Sequence, residues 1–366
     1  MEHLPQQYRH LFPTLQTHTM LASCSQSALA EPVSSSIQDY HDSLLYMGTN
    51  WKEAIEKTEF ARNEFAKLIG AEPDEVAIVP SVSDALVSVA SSLTAFGKKH
   101  VVYTDMDFPA VPHVWQAHSD YTVSVIPSID GVLPLEQYET HISDETVLTC
   151  VPHVHYRDGY VQDIKAIAEI SQRKGSLLFV DAYQSAGHIP IDVKEWGVDM
   201  LAAGTRKYLL GIPGVAFLYV RKELADALKP KASAWFGREN GAYAKGARRF
   251  QTGTPAFISV YAAAAALSLL NHIGVSHIRD HVKTICADAV QYAAEKGLQL
   301  AAQGGGQPGM VAIRDERASE TAALLKKKKV ICAPRENVIR LAPHFYNTKE
   351  EMRHAIDEIA AKTIHK

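Results

Sequence analysis

The chain has 366 residues, of which 46% are hydrophobic and 21% charged, and its formal net charge is −4. This composition is that of an ordinary globular protein large enough for two domains, and the charge gives no overall attraction to nucleic acid or an anionic membrane. The four cysteines form no CxxC pair, which disfavours a disulfide framework or a zinc site. Because the first residues lack the apolar core of a signal peptide, the sequence predicts a cytoplasmic protein.

Residues 1–20 are predicted to form an N-terminal arm, after which helices alternate with short apolar strands. Helices are predicted at 34–46, 51–68, 85–96 and 163–174, and strands at 76–79, 101–103, 122–126, 146–151, 177–180, 198–203 and 215–220. Such an alternation favours a doubly wound, mainly parallel α/β sheet with right-handed crossovers. This first region is predicted to be a large domain that covers residues 21–245.

The pattern changes after Pro230, and residues 246–366 are predicted to form a smaller α+β domain. The predicted elements are a loop at 235–250, helices over 257–296 with a break near Gly274, a Gly-rich turn at 304–306, a strand at 310–313, a helix at 318–328, a strand pair within 330–342 and a helix at 348–363. The run from Val260 to Leu270 holds five consecutive alanines and is too short to span a bilayer, so it predicts a packed core helix.

Two charged residues stand directly beyond predicted strands. Asp181 ends the apolar run that begins at Leu177, and Lys207 follows the run that ends at Ala203. Ligands of open α/β sheets bind at the carboxyl ends of strands. A lysine amine can form a Schiff base with an aldehyde cofactor, and a carboxylate can keep a pyridine nitrogen protonated. Pyridoxal phosphate needs both, although the same spacing also suits a turn-capping aspartate and a surface lysine.

Four segments resemble the signature segments of the class V pyridoxal-phosphate enzymes, and they occur in the family's order. They are Asp181-Ala-Tyr-Gln184, Gly204-Thr-Arg-Lys207, Arg249-Phe-Gln-Thr-Gly-Thr254 and the segment 338–348. This family includes kynureninases, cysteine desulfurases, isopenicillin-N-epimerase-like proteins and some aminotransferases. The resemblance extends from about residue 20 to 350. It implies the pyridoxal-phosphate-dependent transferase fold type I, with a seven-stranded, mainly parallel sheet and a smaller α+β C-terminal domain.

The resemblance also implies roles for residues around the cofactor ring. Lys207 would carry the Schiff base and then act as general base and acid. Asp181 would hold the pyridine nitrogen, and Gln184 would donate to the ring O3′. Phe108 would lie on the ring, and Tyr156 would lie near O3′ or the substrate.

Further residues are implied to bind the cofactor phosphate. Val82 and Ser83 begin a predicted helix, whose N-terminus attracts anions, although a serine there is also an ordinary helix cap. Arg206, with help from Thr205, occupies a position that contacts phosphate in relatives; a structural salt bridge is the alternative for Arg206. Thr254 matches a segment that reaches the phosphate of a neighbouring subunit, so a homodimer is expected.

The substrate side of the site is implied by the N-terminal segment and by one arginine. Arg340 matches the arginine that takes the substrate α-carboxylate, a role suited to the planar guanidinium fork. Ser25 and Gln26 match a segment that folds over the substrate. His153 and His155 would share a face of a strand, but no acidic or cysteine partner accompanies them at ligand spacing, and no metal is predicted.

The reaction is less well specified. Desulfurases carry a persulfide cysteine on a loop before the carboxylate-binding arginine, and the stretch 329–340 has no room for that loop, with Cys332 predicted in a strand. Segment 335–340 resembles kynureninase, whereas segment 250–255 is closer to desulfurases and epimerases. Transamination of a small-molecule amino acid is slightly favoured because it needs no group beyond Lys207. An α,β-lyase or a kynureninase-like hydrolase is the alternative, and a non-catalytic binding protein or a nucleotide- or metal-dependent enzyme is a further one.

Overall fold

The computed structural model describes residues 3–48, 50–301 and 309–364, so the predicted turn at 304–306 lies outside the described residues. Its α-helices are α1 His3–Tyr8, α2 Glu31–Asp42, α3 Trp51–Ile69, α4 Val82–Ser92, α5 Ala110–Ala117, α6 Leu135–His141, α7 Ile164–Arg173, α8 Val193–Trp196, α9 Lys222–Ala227, α10 Phe257–Ile273, α11 Val275–Glu295, α12 Ala318–Lys327 and α13 Lys349–Ile364. Its strands are β1 Thr19–Leu21, β2 Val76–Val79, β3 His100–Thr104, β4 Thr122–Ile126, β5 Thr146–Pro152, β6 Leu177–Asp181, β7 Met200–Gly204, β8 Ala216–Val220, β9 Arg238–Glu239, β10 Ala242–Tyr243, β11 Val311–Arg314, β12 Val330–Arg335 and β13 Val338–Leu341.

A seven-stranded sheet forms the centre of the fold, in the order β2-β8-β7-β6-β5-β3-β4. The pairs from β7 across to β4 are parallel, whereas β8 runs antiparallel to both of its neighbours, β2 and β7. The predicted fold class, a mainly parallel seven-stranded α/β sheet, is confirmed. Since β2, β7, β6, β5 and β3 all run in one direction, their carboxyl ends meet at the same edge of the sheet.

Helices cover both faces of this sheet, and the side chains of β6 alternate between the two layers. Leu178 and Val180 pack into the layer that includes α7 and α10, and Phe179 packs into the opposite layer with residues of α4 and α5. A strand that is buried on both faces has no polar alternation, which explains why the continuous run 177–180 was recognisable as a parallel strand. Asp181 follows Phe179 by two residues and therefore lies on the α4 side of the sheet.

A second sheet of four strands has the order β1-β12-β13-β11. Strand β1 comes from the region predicted as an arm and pairs in parallel with β12. The other two pairs are antiparallel, and β12 and β13 form a tight hairpin. Helix α10, in contrast, packs against α2 and α3 beside the large sheet. The division at residues 20/21 and 245/246 stays a prediction.

Most predicted helices match the structure within a few residues, and the larger difference is at α2. This helix begins at Glu31, three residues before the predicted start, because Pro32 is well suited to a first helical turn. Its α-helical part ends at Asp42, and residues 43–47 form a π-helical turn. The short helices α5, α6, α8 and α9 were not predicted, since four to eight residues provide little periodicity.

The alanine-rich run lies in α10, most of whose residues are buried, as predicted for a core helix. Within the described ranges, no single helix is long and apolar enough to cross a membrane; α10 and α11 meet that test only as a pair that is bent by 78°. The cytoplasmic location stays a prediction.

Candidate active site

A cavity of about 190 Å³ lies at the edge of the sheet where the parallel strands end. The segments that follow β2, β3, β5, β6 and β7 all contribute to its wall, and the hairpin β12–β13 and the segment after β1 close it. The predicted site residues that line it are Ser25, Val82, Ser83, Phe108, Tyr156, Asp181, Gln184, Arg206, Lys207 and Arg340.

Lys207 is buried in this cavity, with 8% of its surface exposed. Its Nζ lies 4.1 Å from the centre of the Tyr183 ring and 5.9 Å from that of Phe108. The backbone is held by Ser27, whose hydroxyl donates to the Lys207 carbonyl at 2.7 Å. Burial lowers the pKa of Lys207 to about 8, against the opposing charge of Asp181. The neutral, nucleophilic form of the amine is therefore reached at lower pH than in an ordinary lysine.

Asp181 opens onto the cavity at the end of β6 but is otherwise surrounded by protein. Its Oδ1 accepts the backbone N–H of Tyr183 at 2.8 Å, and no donor reaches Oδ2 in the described part of the chain. Burial raises the pKa of Asp181, while the Tyr183 amide and the charge of Lys207 lower it. One carboxylate oxygen is thus fixed, and the other is available to a ligand.

Tyr183 packs beside the lysine because Gly204 makes room for it. A Cβ at Gly204 would lie 2.3 Å from the Tyr183 ring, a distance that no side chain could tolerate. The Gly of the Gly-Thr-Arg-Lys segment is therefore required by the close approach of the aromatic ring. The ring in turn presents its electron-rich face to the lysine amine.

The start of α4 forms one end of the cavity. Ser81 caps this helix by accepting the N–H of Asp84 at 3.1 Å, so Val82 and Ser83 occupy the first turn, where N–H groups have no intrahelical partner. Ser81, Val82 and Ser83 all line the cavity, and so does Arg206. An eleven-residue helix with free amides and a guanidinium nearby is a suitable place for a phosphate.

Gln184 connects the strand end to the N-terminal segment. Its Nε2 donates to the carbonyl oxygen of Cys24 at 3.1 Å, and its Oε1 is buried with no hydrogen-bond partner among the described residues. One N–H and the amide oxygen are thus unused, and Gln184 lines the cavity. Buried polar groups are normally hydrogen-bonded, so these free groups of the Gln184 amide indicate that a polar ligand binds to them.

The opposite wall consists of two aromatic rings and an arginine. Phe108 and Tyr156 meet edge to face, with ring centres 5.2 Å apart. Arg340 is buried, and it donates from Nη1 to the Tyr156 carbonyl at 2.6 Å and from Nε to the Ala333 carbonyl at 3.1 Å. Two backbone carbonyls therefore fix the guanidinium while its remaining N–H groups stay available to a carboxylate.

Three predicted residues do not line the cavity. Thr205 is buried, and its hydroxyl donates to the carbonyls of Ile212 and Val215, so it shapes the loop that carries Lys207. Gln26 is exposed, and its amide contacts the carbonyl of Gly211 at 3.4 Å. Thr254 is also exposed and does not line the cavity, so its contact with a neighbouring subunit's phosphate stays a prediction.

The cavity lining also contains Cys24, Tyr183 and Arg335, whose side chains were not singled out from the sequence. Each lies next to or within a segment that was recognised, but nothing in the sequence shows which side chains of such a segment face inward. Arg335 lies at the end of β12, and only the fold of the hairpin brings it to Arg340. Cys24 is buried, which raises the pKa of its thiol and keeps it protonated.

The hairpin β12–β13 turns through Glu336 and Asn337 alone. The connection between the two strands is therefore only two residues long. Cys332 lies within β12, as predicted. Burial raises the pKa of Cys332 to about 12.

The two histidines considered as a metal pair have separate surroundings: the His153 ring packs on Trp196, and His155 pairs with Asp158 at 2.8 Å. No cluster that could hold a metal occurs within the described residues.

The residues of the cavity fit pyridoxal phosphate. The helix start and Arg206 suit its phosphate, the free oxygen of Asp181 suits a protonated pyridine nitrogen, the unused amide of Gln184 suits the phenolic oxygen and Lys207 suits the aldehyde. The fit is supported above all by the free oxygen of Asp181 and by a buried lysine whose pKa is lowered to about 8.

Comparison with known proteins gives a consistent result. A family model described as aminotransferase class-V matches residues 21–352. The chain is 96% identical over 370 aligned positions, the full length of both, to an uncharacterized aminotransferase, YcbU, of Bacillus subtilis. The fold is similar to that of a cysteine desulfurase from Thermococcus onnurineus, with a TM-score of 0.90 at 22% identity over 99% of this chain and 98% of that one. It is also similar to the cystine C-S lyase C-DES, with a TM-score of 0.87 at 20% identity over 95% and 99%.

Proposed function

This chain belongs to the aminotransferase class-V family, and we propose that it is a pyridoxal-phosphate-dependent enzyme that transaminates a small α-amino acid. The observation that carries the proposal is the placement of the buried Lys207 amine in one cavity with Asp181, Arg340 and the start of α4. A surface lysine at a strand end, with no role in catalysis, would be solvated and would keep its ordinary pKa. This one is desolvated, and its pKa is lowered to about 8.

Bound pyridoxal phosphate supplies an electron sink that stabilises negative charge at the substrate Cα. Asp181 would hold the pyridine nitrogen protonated with its free carboxylate oxygen, because its other oxygen is held by the Tyr183 amide. Val82, Ser83 and Arg206 would bind the phosphate. Gln184 would donate its unused N–H to the phenolic oxygen.

The substrate is positioned by Arg340, whose free N–H groups bind the α-carboxylate. Lys207 would hold the cofactor aldehyde, and its Nζ would be placed to take a proton from the substrate Cα as general base and to donate it again as general acid. The lowered pKa matters here, because an amine with an ordinary pKa would be almost fully protonated at neutral pH. Phe108 and Tyr156 cover the site and exclude water.

Transamination is favoured because the described part of the chain offers no thiol on a loop that could act as a second nucleophile. The two-residue turn of the β12–β13 hairpin leaves no loop for a persulfide cysteine, and the thiols of Cys332 and Cys24 have raised pKa values. An α,β-lyase is the second candidate, because the fold is similar to that of a C-S lyase. A kynureninase-like hydrolase needs the same cavity and is the third.

Product analysis distinguishes these reactions. Purified protein loaded with pyridoxal phosphate is incubated with single amino acids, with and without an added α-keto acid. Without an acceptor we expect no more than about one keto acid per active site, and with an α-keto acid acceptor we expect continued turnover with one acceptor converted for each amino acid consumed. Release of sulfide with pyruvate and ammonia would move the assignment to a lyase, and anthranilate from kynurenine would move it to a hydrolase. No turnover and no bound chromophore would leave a non-catalytic binding protein.

The protein acts as a homodimer in this proposal, with Thr254 completing the phosphate site of the neighbouring subunit. Tyr46, Met47 and Trp235 are exposed by 78%, 75% and 80%, which is unusual for large apolar side chains. Trp51 contacts the ring of Phe236, the neighbour of Trp235, at 6.2 Å, and the ring of Phe257 at 5.4 Å; Phe257 begins α10, three residues beyond Thr254. A partner subunit would bury these side chains.

Mixing two impaired variants, assayed at a cofactor concentration that fills wild-type sites but not Thr254→Asp sites, tests whether Thr254 acts across the interface. Thr254→Asp places a negative charge beside the partner's phosphate and is expected to weaken cofactor binding at least about tenfold; Lys207→Ala removes the reactive amine. In co-expressed mixed dimers, one site combines the intact Lys207 of one chain with the intact Thr254 of the other. We expect about a quarter of the wild-type activity per chain from random pairing. If Thr254 serves its own chain's site, or if the protein is a monomer, the mixture will stay inactive.

A further inference from the structure

A second arginine faces the substrate end of the cavity. Arg335 lies 5.1 Å above the Tyr156 ring and 5.7 Å from the Phe108 ring, measured from its guanidinium carbon to the ring centres. Within the described residues, no carboxylate is paired with it. The nearest candidate by sequence, Glu336, pairs instead with Arg157 at 3.1 Å. Stacking on aromatic rings fixes a guanidinium but uses none of its N–H donors.

Arg335 and Arg340 lie on the same face of the β12–β13 hairpin. Ala333 is paired with Arg340 in this antiparallel ladder, and Arg335 follows Ala333 by two residues. Arg335 and Arg340 are therefore diagonal neighbours, whose Cβ atoms are about 7–8 Å apart. Both are also fixed by one residue, since Arg340 binds the Tyr156 carbonyl and Arg335 stacks on its ring.

The positive charges of the cavity exceed what the cofactor and a simple amino acid require. Arg206 and the start of α4 serve the phosphate, and Arg340 serves the α-carboxylate. The carboxylate of Asp181 faces Lys207. Arg335 is left without an anion, although two guanidinium groups held close together repel each other unless an anion lies between or beside them.

We propose that Arg335 binds an acidic group at the end of the substrate side chain, so that the substrate is an α-amino acid with a second carboxylate or a comparable anion. This inference rests on the proposed function, because it places the α-carboxylate on Arg340. The planar fork of Arg335 presents paired N–H donors that suit a carboxylate. Arg335 therefore determines specificity for the side chain and takes no part in bond breaking.

Binding of unreactive carboxylates tests the inference without turnover. Isothermal titration calorimetry on the pyridoxal-phosphate-loaded protein compares glutarate with pentanoate and succinate with butyrate, pairs that differ by one carboxylate at equal chain length. We expect the dicarboxylates to bind at least about tenfold more tightly to the wild type, since a hydrogen-bonded charge pair contributes that much. In Arg335→Gln, this preference is expected to vanish while pentanoate binding and cofactor absorbance are retained.

Arg157→Gln is the matched control, because Arg157 lies beside the same hairpin, is paired with Glu336 and does not line the cavity. It should keep the dicarboxylate preference. A wild type that does not distinguish glutarate from pentanoate would overturn the inference. So would an Arg335→Gln protein that keeps the preference, or one that loses pentanoate as well, since the arginine would then only support the wall.

The same samples separate this inference from the proposed function. If the protein prefers dicarboxylates but never binds pyridoxal phosphate, the result would support the two-arginine subsite and contradict the proposed chemistry. If the protein forms the chromophore on Lys207 but binds glutarate and pentanoate equally, the result would support the proposed chemistry and contradict the subsite.

Discussion

Lys207→Ala will lower turnover by at least about 10³-fold, because in the proposed mechanism it removes both the amine that would bind the cofactor aldehyde and the base that would act at Cα. The violet absorbance of the loaded wild type will be lost or shifted to that of loosely held cofactor. The fold should persist, since the removed atoms face the cavity and no hydrogen bond or ion pair of the Nζ to a protein group is recorded in the described chain. Absorption spectra and product formation, measured on the same samples, check both parts.

Lys165→Ala is the matched control, because the Lys165 side chain is 51% exposed and does not line the cavity. It should behave as the wild type does. A small primary amine added to Lys207→Ala should restore part of the turnover, because it can replace the missing base. Full activity in Lys207→Ala would show that another group carries out the chemistry.

Asp181→Asn will lower turnover by about 10²–10³-fold, a loss typical of removing one electrostatic stabiliser from an active site. Asparagine has almost the same shape and can still accept the Tyr183 amide, so the loss will reflect the missing charge at the pyridine nitrogen. Cofactor affinity should fall less than the rate does. Asp105→Asn is the control, because Asp105 also follows a strand of the large sheet, is exposed and is bonded to Ser128 outside the cavity.

The same substitution changes the pH dependence of Lys207. The negative charge of Asp181 raises the pKa of Lys207 against the larger effect of burial, which lowers it to about 8. Removing that charge must therefore lower the pKa further, so the amine will become reactive at lower pH. Reductive methylation of Lys207 in cofactor-free protein, followed across pH by mass spectrometry, should rise through about pH 8 in the wild type and earlier in Asp181→Asn. An unchanged profile would mean that the two groups are not coupled.

The fold could be predicted from the sequence because strands buried on both faces have continuous apolar runs. Strand β6 and the Asp181 that ends it were recognisable on that ground, and the strand ends then placed Lys207 and Ser83 at one edge of the sheet. Strand β1 could not be predicted, because three residues have no period of their own and their partner, β12, lies some 300 residues away.

The composition of the site was predictable only in part, for related reasons. Arg340 was recognised from its segment, but Arg335 reaches the cavity through the register of a hairpin that the sequence does not specify. Gln26 lies in a recognised segment, yet its side chain points outward. The part of the site that would come from a second subunit, at Thr254, depends on an interface that one chain does not contain.

The central claim is that pyridoxal phosphate binds covalently to Lys207. The most direct measurement adds pyridoxal phosphate to purified protein, reduces it with borohydride and maps the modified peptide by mass spectrometry. We predict that a violet band forms, disappears on reduction and leaves a stable adduct on the peptide that contains Lys207. The absence of a chromophore with excess cofactor, or an adduct on a different lysine, would contradict this account of the protein.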